Sequence, residues 1–343
     1  MHALIVTGQG QVSLCERPLP DLLEDYILVR TKAVALNPTD WKHVDFEDCQ
    51  GAVVGCDYAG IVEAVGSRVR KRWNKGDRVA GFVHGCNPLR PSGGAFAEYI
   101  LAKGDIQFRV PGGMSFEAAA TLGVGLTTVG QHLYQSLELP GPLEGHPGGS
   151  QGSILIYGGA TATGSLLIQC AKLSGMKVLT TCSEGHRPLV YRCGADVIWD
   201  YHETNVGQEI RQHTDDALEL VLDTVSSGQS AAICAQAIGS AGGCYNSLLD
   251  IRCPRADVES QALMAYAMIG EPYRLAGRQM PGTEADLEFA TSWAETVDTL
   301  LETGRIHPHP IQVRDGGLGA IPEGLQRLRE GQVRGCKLVY CVE

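Results

Sequence analysis

The chain has 343 residues, of which 44% are apolar and 20% charged, a composition typical of a globular protein with room for two domains. Its 28 basic and 39 acidic residues give a formal net charge of -11. Because such a surface repels nucleic acid and anionic membranes, we expect neither as a partner. No run of apolar residues approaches the roughly 18 that a membrane-spanning helix requires.

The cysteines and the N-terminal residues indicate the compartment. Twelve cysteines are scattered along the chain and none forms a C-x-x-C pair, which favours reduced thiols over a disulfide framework. The first six residues, MHALIV, are typical of a β-strand and lack the basic segment and long apolar run of a signal peptide. We therefore expect a cytoplasmic protein.

Residues 1 to about 120 consist of short apolar runs interrupted by glycines, as in the segment 53–62 (VVGCDYAGIV). This pattern predicts short strands joined by tight turns, and hence a small β-barrel-like domain. Ser115 is a candidate helix N-cap with Glu117 in the first turn, and a further helix is predicted through residues 127–134.

Strand and helix patterns alternate after residue 150. Strands are predicted at 154–157, 177–182, 196–199 and 219–223, and helices at 165–174, 189–193 and 208–213. This alternation predicts a parallel sheet covered by helices on both faces. Near the C-terminus we predict helices at 286–303 and 323–330 and a strand at 337–342.

The segment 157–164 (YGGATATG) lies between the first predicted strand of this sheet and the first helix, where dinucleotide-binding folds hold a pyrophosphate. Glycines allow backbone amides to approach phosphate oxygens, and the helix N-terminus carries partial positive charge. The spacing G-G-x-x-x-x-G departs from G-x-G-x-x-G, so a tight strand-to-helix turn without a ligand is the alternative.

The next predicted strand distinguishes between the two nicotinamide cofactors. It ends in Cys182 and Ser183, without the Asp or Glu that binds the ribose 2′-hydroxyl in NAD sites. A small hydroxyl residue leaves space for a 2′-phosphate, and Arg187 is close enough in sequence to supply positive charge. Glu184 complicates this interpretation, since its carboxylate could pair with a ribose hydroxyl. We expect NADPH.

No metal site is expected. The isolated candidate ligands are Cys49, Cys56, His84 and Cys86, and the one short pair, His84-x-Cys86, is too tightly spaced for a familiar zinc site. The sequence contains no cysteine quartet of the kind that binds structural zinc.

Several motifs together resemble the zinc-free branch of the medium-chain dehydrogenase/reductase superfamily. They are residues 37–42 (NPTDWK), 55–60 (GCDYAG), 76–79 (GDRV), 94–99 (GAFAEY) and 194–196 (GAD). Asn37 stands where the zinc enzymes of that superfamily have a cysteine ligand. The resemblance implies an α/β fold: a GroES-like β-barrel catalytic domain (1–122 and 286–343) and a Rossmann NADPH-binding domain with a parallel sheet (123–285).

Within that branch, residues 157–163 with Cys182-Ser183 and Asp200-Tyr201 are similar to the trans-acting enoyl reductases of fungal polyketide synthases. Quinone reductases of the branch usually carry more glycine and valine in this loop. The resemblance implies an NADPH-dependent, zinc-independent enoyl reductase of secondary-metabolite biosynthesis. Its substrate would be an α,β-unsaturated thioester on the acyl carrier protein of a polyketide synthase or a hybrid with a nonribosomal peptide synthetase.

The resemblance also assigns site residues by motif. Lys42 and Thr127 are the catalytic candidates. The cofactor-binding candidates are Thr39, Asp40, Lys42, Ala160, Thr161, Ala162, Thr163, Ser183, Arg187, Tyr201, Leu248, Lys337, Leu338 and Val339. The acyl-pocket candidates are Ala267, Met268, Ile269, Gly270 and Glu271.

The implied chemistry gives these residues roles. Hydride transfer to the β-carbon leaves negative charge on the thioester oxygen, which hydrogen-bond donors must stabilise without a metal. Lys42 is the candidate donor of the α-carbon proton, and a surface lysine is the alternative. Thr127 is expected to orient the nicotinamide carboxamide, and Tyr201 to contact the adenosine end rather than donate a proton.

Two other functions use the same glycine loop and stay open: an NADPH-dependent quinone or free-enone reductase, and an NADPH-binding protein without turnover. The basic run Arg68, Arg70, Lys71 and Arg72 is a hypothetical docking patch for an acidic carrier protein, with a solvated turn as the alternative. A proline-containing insertion at 271–277 follows the expected edge strand at about 263–270, which favours a monomer.

Overall fold

The computed structural model describes residues 1–144 and 152–342. Contacts divide the chain into two units, one formed by Met1–Thr127 with Ala265–Glu343 and the other by Thr128–Met264. The sequence-based boundaries at residues 122 and 285 differ from this division mainly in the segment 265–285. In the structure that segment packs with the first unit, since its buried aromatic side chains find their partners there.

The first unit is built on a seven-stranded sheet with mostly antiparallel pairing. Its strands, in spatial order, are Ile311–Arg314, Lys337–Cys341, Tyr26–Ala35, Asp57–Val65, Arg78–Phe82 and Phe108–Arg109, and Tyr99–Lys103 also pairs with Tyr26–Ala35. Two small hairpins complete the strands of this unit: His2–Gly8 with Gln11–Glu16, and Tyr273–Leu275 with Arg278–Met280. The apolar residues that alternate along these strands form the core of the unit.

Helices of the first unit lie at Pro38–Phe46, Phe116–Ala119, Gly123–Val129, Glu284–Glu302 and Ile321–Arg329. The predicted cap at Ser115 is confirmed, because its side chain accepts a hydrogen bond from the Ala118 N–H at 3.1 Å. The two C-terminal helices and the final strand are confirmed to within about two residues of the predicted bounds.

The second unit contains a six-stranded parallel sheet. Its strands, in spatial order, are Val197–Trp199, Lys177–Thr181, Ser153–Tyr157, Leu220–Asp223, Gly243–Ser247 and Val258–Ala262. Its helices are Ala162–Leu173, Arg187–Arg192, Val206–His213 and Gly228–Ala237, with a π-helical turn at Gly130–Ser136. In sequence numbering the strand order is 3-2-1-4-5-6, the doubly wound order of dinucleotide-binding folds, which confirms the predicted fold class.

The edge-strand prediction at about residues 263–270 is wrong. The edge strand is Val258–Ala262, and Ala265–Ile269 forms a 3₁₀-helix. The chain leaves the sheet early because the Tyr266 and Met268 side chains are buried in the first unit. Within the described residues, every helix is too short or too polar to cross a membrane.

Candidate active site and cofactor-binding residues

The helix Pro38–Phe46 carries three of the predicted cofactor-binding residues, Thr39, Asp40 and Lys42, which we expect at the nicotinamide end of the cofactor. Asn37 is its N-cap, and the Asn37 N–H donates to Asp40 Oδ2 at 2.7 Å, which anchors the first turn. Asp40 is buried, and this burial raises its pKa to about 7. Among the described residues, Asp40 Oδ1 has no hydrogen-bond partner.

Lys42 and Thr127, the two catalytic candidates, differ in exposure. Lys42 is half-buried, with its Nζ 5.9 Å from the centroid of the Trp41 ring. Burial lowers the pKa of Lys42, which makes its ammonium a better acid. Thr127 is buried in the helix Gly123–Val129. Their catalytic roles stay predictions.

Lys337, Leu338 and Val339, predicted to contact the cofactor, lie in the last strand of the first unit. Leu338 and Val339 are buried in its core. Lys337 is also buried, and its Nζ donates to Asp57 Oδ2 and to the Thr121 carbonyl. The structure therefore gives Lys337 a partner inside the unit, and the three cofactor contacts stay predictions.

Tyr266, which the sequence did not single out, connects several of these elements. Its hydroxyl lies 2.8 Å from Thr39 Oγ1 and 3.8 Å from Cys56 Sγ. Its ring stacks on His84, with centroids 3.8 Å apart and an interplanar angle of 12°. A buried tyrosine needs a partner for its hydroxyl, but sequence alone does not locate a partner 227 positions away.

Glycines allow the loops of this cluster to approach each other. A Cβ at Gly85 would overlap the carbonyl oxygen of Gly55, so the two loops run backbone against backbone. Their neighbours in sequence both contact Tyr266, His84 at the ring and Cys56 at the hydroxyl.

The acyl-pocket candidates follow Tyr266 directly. Ile269 and Glu271 line a cavity together with His84 and Tyr273. Met268 is fully buried, and Gly270 adopts a left-handed conformation (φ 71°) that turns the chain towards Glu271. Ala267 does not line this cavity, and its substrate contact stays a prediction.

Glu271 closes one end of this cavity. Its carboxylate accepts hydrogen bonds from Tyr26 Oη at 2.7 Å, Lys103 Nζ at 3.0 Å and Arg90 Nη2 at 2.6 Å. With three donors, the carboxylate is neutralised inside the protein and holds the segment that carries the acyl-pocket candidates.

The second unit presents the predicted pyrophosphate loop. Thr161 is the N-cap of the helix Ala162–Leu173: its Oγ1 accepts from the Gly164 N–H at 2.9 Å and its carbonyl from the Ser165 N–H at 3.0 Å. The first four N–H groups of a helix lack intrahelical partners, so within the described residues those of Ala162 and Thr163 remain available. Two free amides at a helix N-terminus fit a pyrophosphate.

Glycines also shape this loop, which begins at Gly158 (φ 81°) and passes Ala160 before the helix. A Cβ at Gly159 would overlap Thr180 Oγ1, so the loop lies directly on the neighbouring strand. Because Gly158 and Gly159 carry no side chains, a phosphate can approach the loop backbone closely.

The adenosine-end candidates follow the strand Lys177–Thr181. Ser183 Oγ lies 2.8 Å from His186 Nδ1, and Arg187 Nε lies 2.5 Å from Glu184 Oε2. Glu184 therefore pairs with Arg187 and partly offsets the arginine charge. The contacts of Ser183 and Arg187 with the cofactor stay predictions.

The remaining second-unit candidates lie at other strand ends. Tyr201 is half-buried and packs against the His202 ring with centroids 4.1 Å apart. The Leu248 N–H donates to Ser226 Oγ at 2.9 Å. These contacts position both residues, and their contact with the cofactor stays a prediction.

Two positions considered in connection with zinc, Asn37 and Cys56, have other surroundings in the structure. Asn37 Nδ2 donates to Asp57 Oδ2 at 3.0 Å, and burial raises the pKa of the Cys56 thiol, which keeps its proton. Across residues 1–144 and 152–342, no three His, Cys, Asp or Glu side chains are placed to hold a metal ion. All twelve cysteines are free thiols.

The basic run is largely neutralised. Arg68 pairs with Glu24 at 3.3 Å, Arg70 with Asp105 at 3.1 Å and Lys71 with Asp298 at 2.7 Å. Arg68 and Arg70 stay largely exposed in these pairs, so carrier docking by this run stays a hypothesis, with a solvated turn as its alternative.

Comparison with known proteins agrees with these features. Residues 24–112 match the family "Alcohol dehydrogenase GroES-like domain" and residues 162–246 match "Zinc-binding dehydrogenase". The chain is 47% identical to the trans-enoyl reductase resD of Aspergillus sclerotiorum, over 100% of both chains. It is 46% identical to the trans-enoyl reductase ACTTS2 of Alternaria alternata, over 100% of this chain and 99% of the relative.

The fold is shared with solved structures of lower identity. An alcohol dehydrogenase superfamily protein from Novosphingobium aromaticivorans is similar with a TM-score of 0.81 and 22% identity, over 100% of both chains. At this identity the likeness concerns the fold, whereas the curated relatives share nearly half of their residues over the full length. The chain therefore belongs to the trans-enoyl reductases, oxidoreductases of the medium-chain dehydrogenase/reductase superfamily.

Proposed function

We propose that this enzyme reduces an α,β-unsaturated acyl thioester held by the acyl carrier protein of a polyketide synthase, or of a hybrid with a nonribosomal peptide synthetase. The observation that carries the proposal is the 47% identity to a trans-enoyl reductase over the whole of both chains. The presence of Thr39, Lys42 and the acyl-pocket candidates 267–271 on one unit supports it.

When bound, NADPH would supply the hydride that adds to the β-carbon of the enoyl group. Lys42 donates a proton to the α-carbon, so the C=C bond becomes a C–C bond with one hydrogen added at each end. Because burial lowers the pKa of Lys42, proton transfer from its ammonium is easier than from an exposed lysine. Thr127 orients the nicotinamide carboxamide.

NADPH fits the residues of the second unit. The Ala162 and Thr163 amides would hold the pyrophosphate, and Ser183 with Arg187 would hold the 2′-phosphate. No carboxylate stands at the end of the strand Lys177–Thr181, where an NAD site would have one.

We also propose that the protein is a cytoplasmic monomer. Its free thiols suit a reducing compartment. The edge strand Val258–Ala262 carries Glu259, whose charge discourages pairing with a second sheet. Sedimentation velocity at micromolar concentration should give a single species at the mass of one chain, and a stable dimer would contradict the monomer.

The test of function is NADPH oxidation by the purified protein, with a crotonyl pantetheine thioester and a simple quinone as separate acceptors. Turnover of the thioester with little on the quinone is the expected result. Fast quinone turnover with an inert thioester would replace the proposal with a quinone or free-enone reductase. NADPH binding without turnover of any acceptor would indicate a binding protein.

A further inference from the structure

We propose that Tyr266 is a positioning residue of the reduction. Its hydroxyl holds the Thr39 hydroxyl so that the Thr39 hydrogen is available to the thioester oxygen as negative charge develops there. The inference rests on the proposed function, and it adds a residue that neither the motifs nor the relatives' names assign.

The distances show which of its two neighbours the Tyr266 hydroxyl contacts more closely. The Tyr266–Thr39 oxygen separation of 2.8 Å is that of a normal O–H···O hydrogen bond, whereas the Cys56 sulfur is 3.8 Å from the phenol oxygen. In the proposed arrangement, Tyr266 donates its one hydrogen to Thr39, and the Cys56 thiol is only a weak partner of the phenol oxygen.

The Thr39 hydrogen is then directed elsewhere. His43 Nδ1 lies 3.4 Å from the Gly85 carbonyl, which can only accept, so this contact favours the tautomer with the proton on Nδ1 and with Nε2 as an acceptor. Thr39 Oγ1 is 3.4 Å from this Nε2, a long and weak contact. A ligand oxygen closer to Thr39 Oγ1 than His43 Nε2 would accept the Thr39 hydrogen in place of this nitrogen.

Each donor in this chain strengthens the next. An oxygen that accepts a hydrogen bond becomes a better donor, so Tyr266 polarises the Thr39 O–H towards its target. Thr39 is half-buried, while Tyr266 is almost completely enclosed. Thr39 is thus the more accessible of the two hydroxyl groups.

Tyr266 acts as a fixed neutral donor rather than an acid. Burial raises the pKa of Tyr266 well above its ordinary value, so the phenol stays protonated at every working pH. The stacked partner is neutral too, because burial lowers the pKa of His84 to about 3. The stack fixes the ring so that its hydroxyl points at Thr39.

The test is a double-mutant cycle of Tyr266→Phe and Thr39→Val, assayed for NADPH-dependent reduction of crotonyl pantetheine thioester. Tyr266→Phe keeps the ring that stacks on His84 and removes only the hydroxyl. We expect kcat to fall about tenfold, with KM for NADPH and the shape of the pH profile unchanged. In the Thr39→Val background, Tyr266→Phe should cause no further loss, because it acts through Thr39.

The matched control is Tyr58→Phe. Tyr58 is a fully buried tyrosine of the same unit, and its hydroxyl donates to Gln107 Oε1 at 2.9 Å, outside the cavity. Tyr58→Phe should lower the thermal midpoint and leave kcat unchanged. Thr39→Ser, which keeps the hydroxyl, should retain most of the activity and remain sensitive to Tyr266→Phe.

The outcomes separate the two proposals. If the wild-type enzyme does not reduce the thioester, the proposed function fails and this inference fails with it. If the wild type is active and Tyr266→Phe retains its kcat, or loses the same factor in both Thr39 backgrounds, the function stands and the inference is overturned.

Discussion

Lys337 and Asp57 form a buried ion pair that joins two strands whose residues are 280 positions apart in sequence. The other oxygen of Asp57, Oδ1, accepts the Val124 N–H at 2.6 Å, and Oδ2 also accepts Asn37 Nδ2. Asn37 begins the helix that carries Thr39 and Lys42, so the pair connects the sheet to the nicotinamide-end residues. The pair matters for stability because it is buried: if one partner is removed, water cannot solvate the charge that remains.

Lys337→Met should lower the free energy of unfolding by about 3–5 kcal/mol, because it leaves the Asp57 charge buried without its counter-charge. Urea unfolding followed by circular dichroism measures the change. The double variant Asp57→Asn/Lys337→Met, which removes both charges, should be less destabilised than Lys337→Met. Lys172→Met breaks the half-exposed pair with Asp196 and should cost at most about 1 kcal/mol. Equal losses for Lys337→Met and Lys172→Met would contradict the prediction.

The second unit was predictable from sequence because its signals are local. From residue 154 to residue 223 each strand is a short apolar run followed by a helix pattern, and each predicted element overlaps an observed one. The helix Gly228–Ala237 was not predicted. The absence of an Asp or Glu directly after Thr181, at the end of the second strand, is likewise visible in the sequence itself. Even here the edge-strand prediction at about 263–270 was wrong. The buried apolar residues of that segment lie in the first unit, and the sequence alone does not show which unit an apolar segment packs against.

The first-unit site could not be predicted to the same degree. Thr39 and Lys42 belong to one motif, but Tyr266 is 227 positions from Thr39 and Lys337 is 280 positions from Asp57. Such pairs depend on how the strands meet in the sheet, which no local pattern encodes. The same limit applies to the basic run, whose acidic partner Asp298 lies on a distant helix.

Gly159→Ala should weaken NADPH binding at least about tenfold, because the added methyl would overlap Thr180 Oγ1 and push the loop away from the phosphates. Quenching of intrinsic fluorescence by NADPH gives the dissociation constant. Gly113→Ala is the control: nothing lies within 4 Å of its Cβ position and it belongs to the other unit, so affinity should not change. Unchanged affinity of Gly159→Ala would show that the loop does not hold the cofactor.

Arg187→Met should raise KM for NADPH about tenfold and leave that for NADH nearly unchanged, since only the 2′-phosphate loses a counter-charge. Glu184→Gln should act in the opposite direction, because it frees Arg187 from the ion pair at 2.5 Å. Steady-state kinetics with NADPH and with NADH measures the cofactor preference of each variant. Equal changes for NADPH and NADH would remove Arg187 from the 2′-phosphate site.

The pH dependence of turnover should identify Lys42. A proton donor must be charged to act, so kcat should fall as pH rises through the pKa of Lys42. Burial sets this pKa below the ordinary value of 10.5. Lys42→Met should lower kcat by about 10²–10⁴-fold, the usual contribution of a positioned acid, and abolish that alkaline limb. An alkaline limb that persists in Lys42→Met would assign the proton to another group.

Asp40 should make the stability of the fold depend on pH. Burial raises its pKa from 3.8 to about 7 in the folded state, so between about pH 4 and pH 7 the folded state holds a proton that the unfolded chain has lost. Stability must therefore fall as pH rises through this window and level off above it. The total loss should be roughly 2–4 kcal/mol.

Asp40→Asn tests this dependence directly. The amide cannot ionise, and its oxygen can still accept the Asn37 N–H that anchors the helix. Urea unfolding at pH 4 and pH 8 should show a smaller difference for the variant than for the wild type, with Asp40→Asn the more stable of the two at pH 8. At pH 4 the wild-type carboxyl is already protonated, so the two proteins should agree there, which separates the charge effect from any change in packing. Parallel pH curves would mean that Asp40 is ionised in the folded state without cost, and that its unpartnered Oδ1 is satisfied by a group such as bound water.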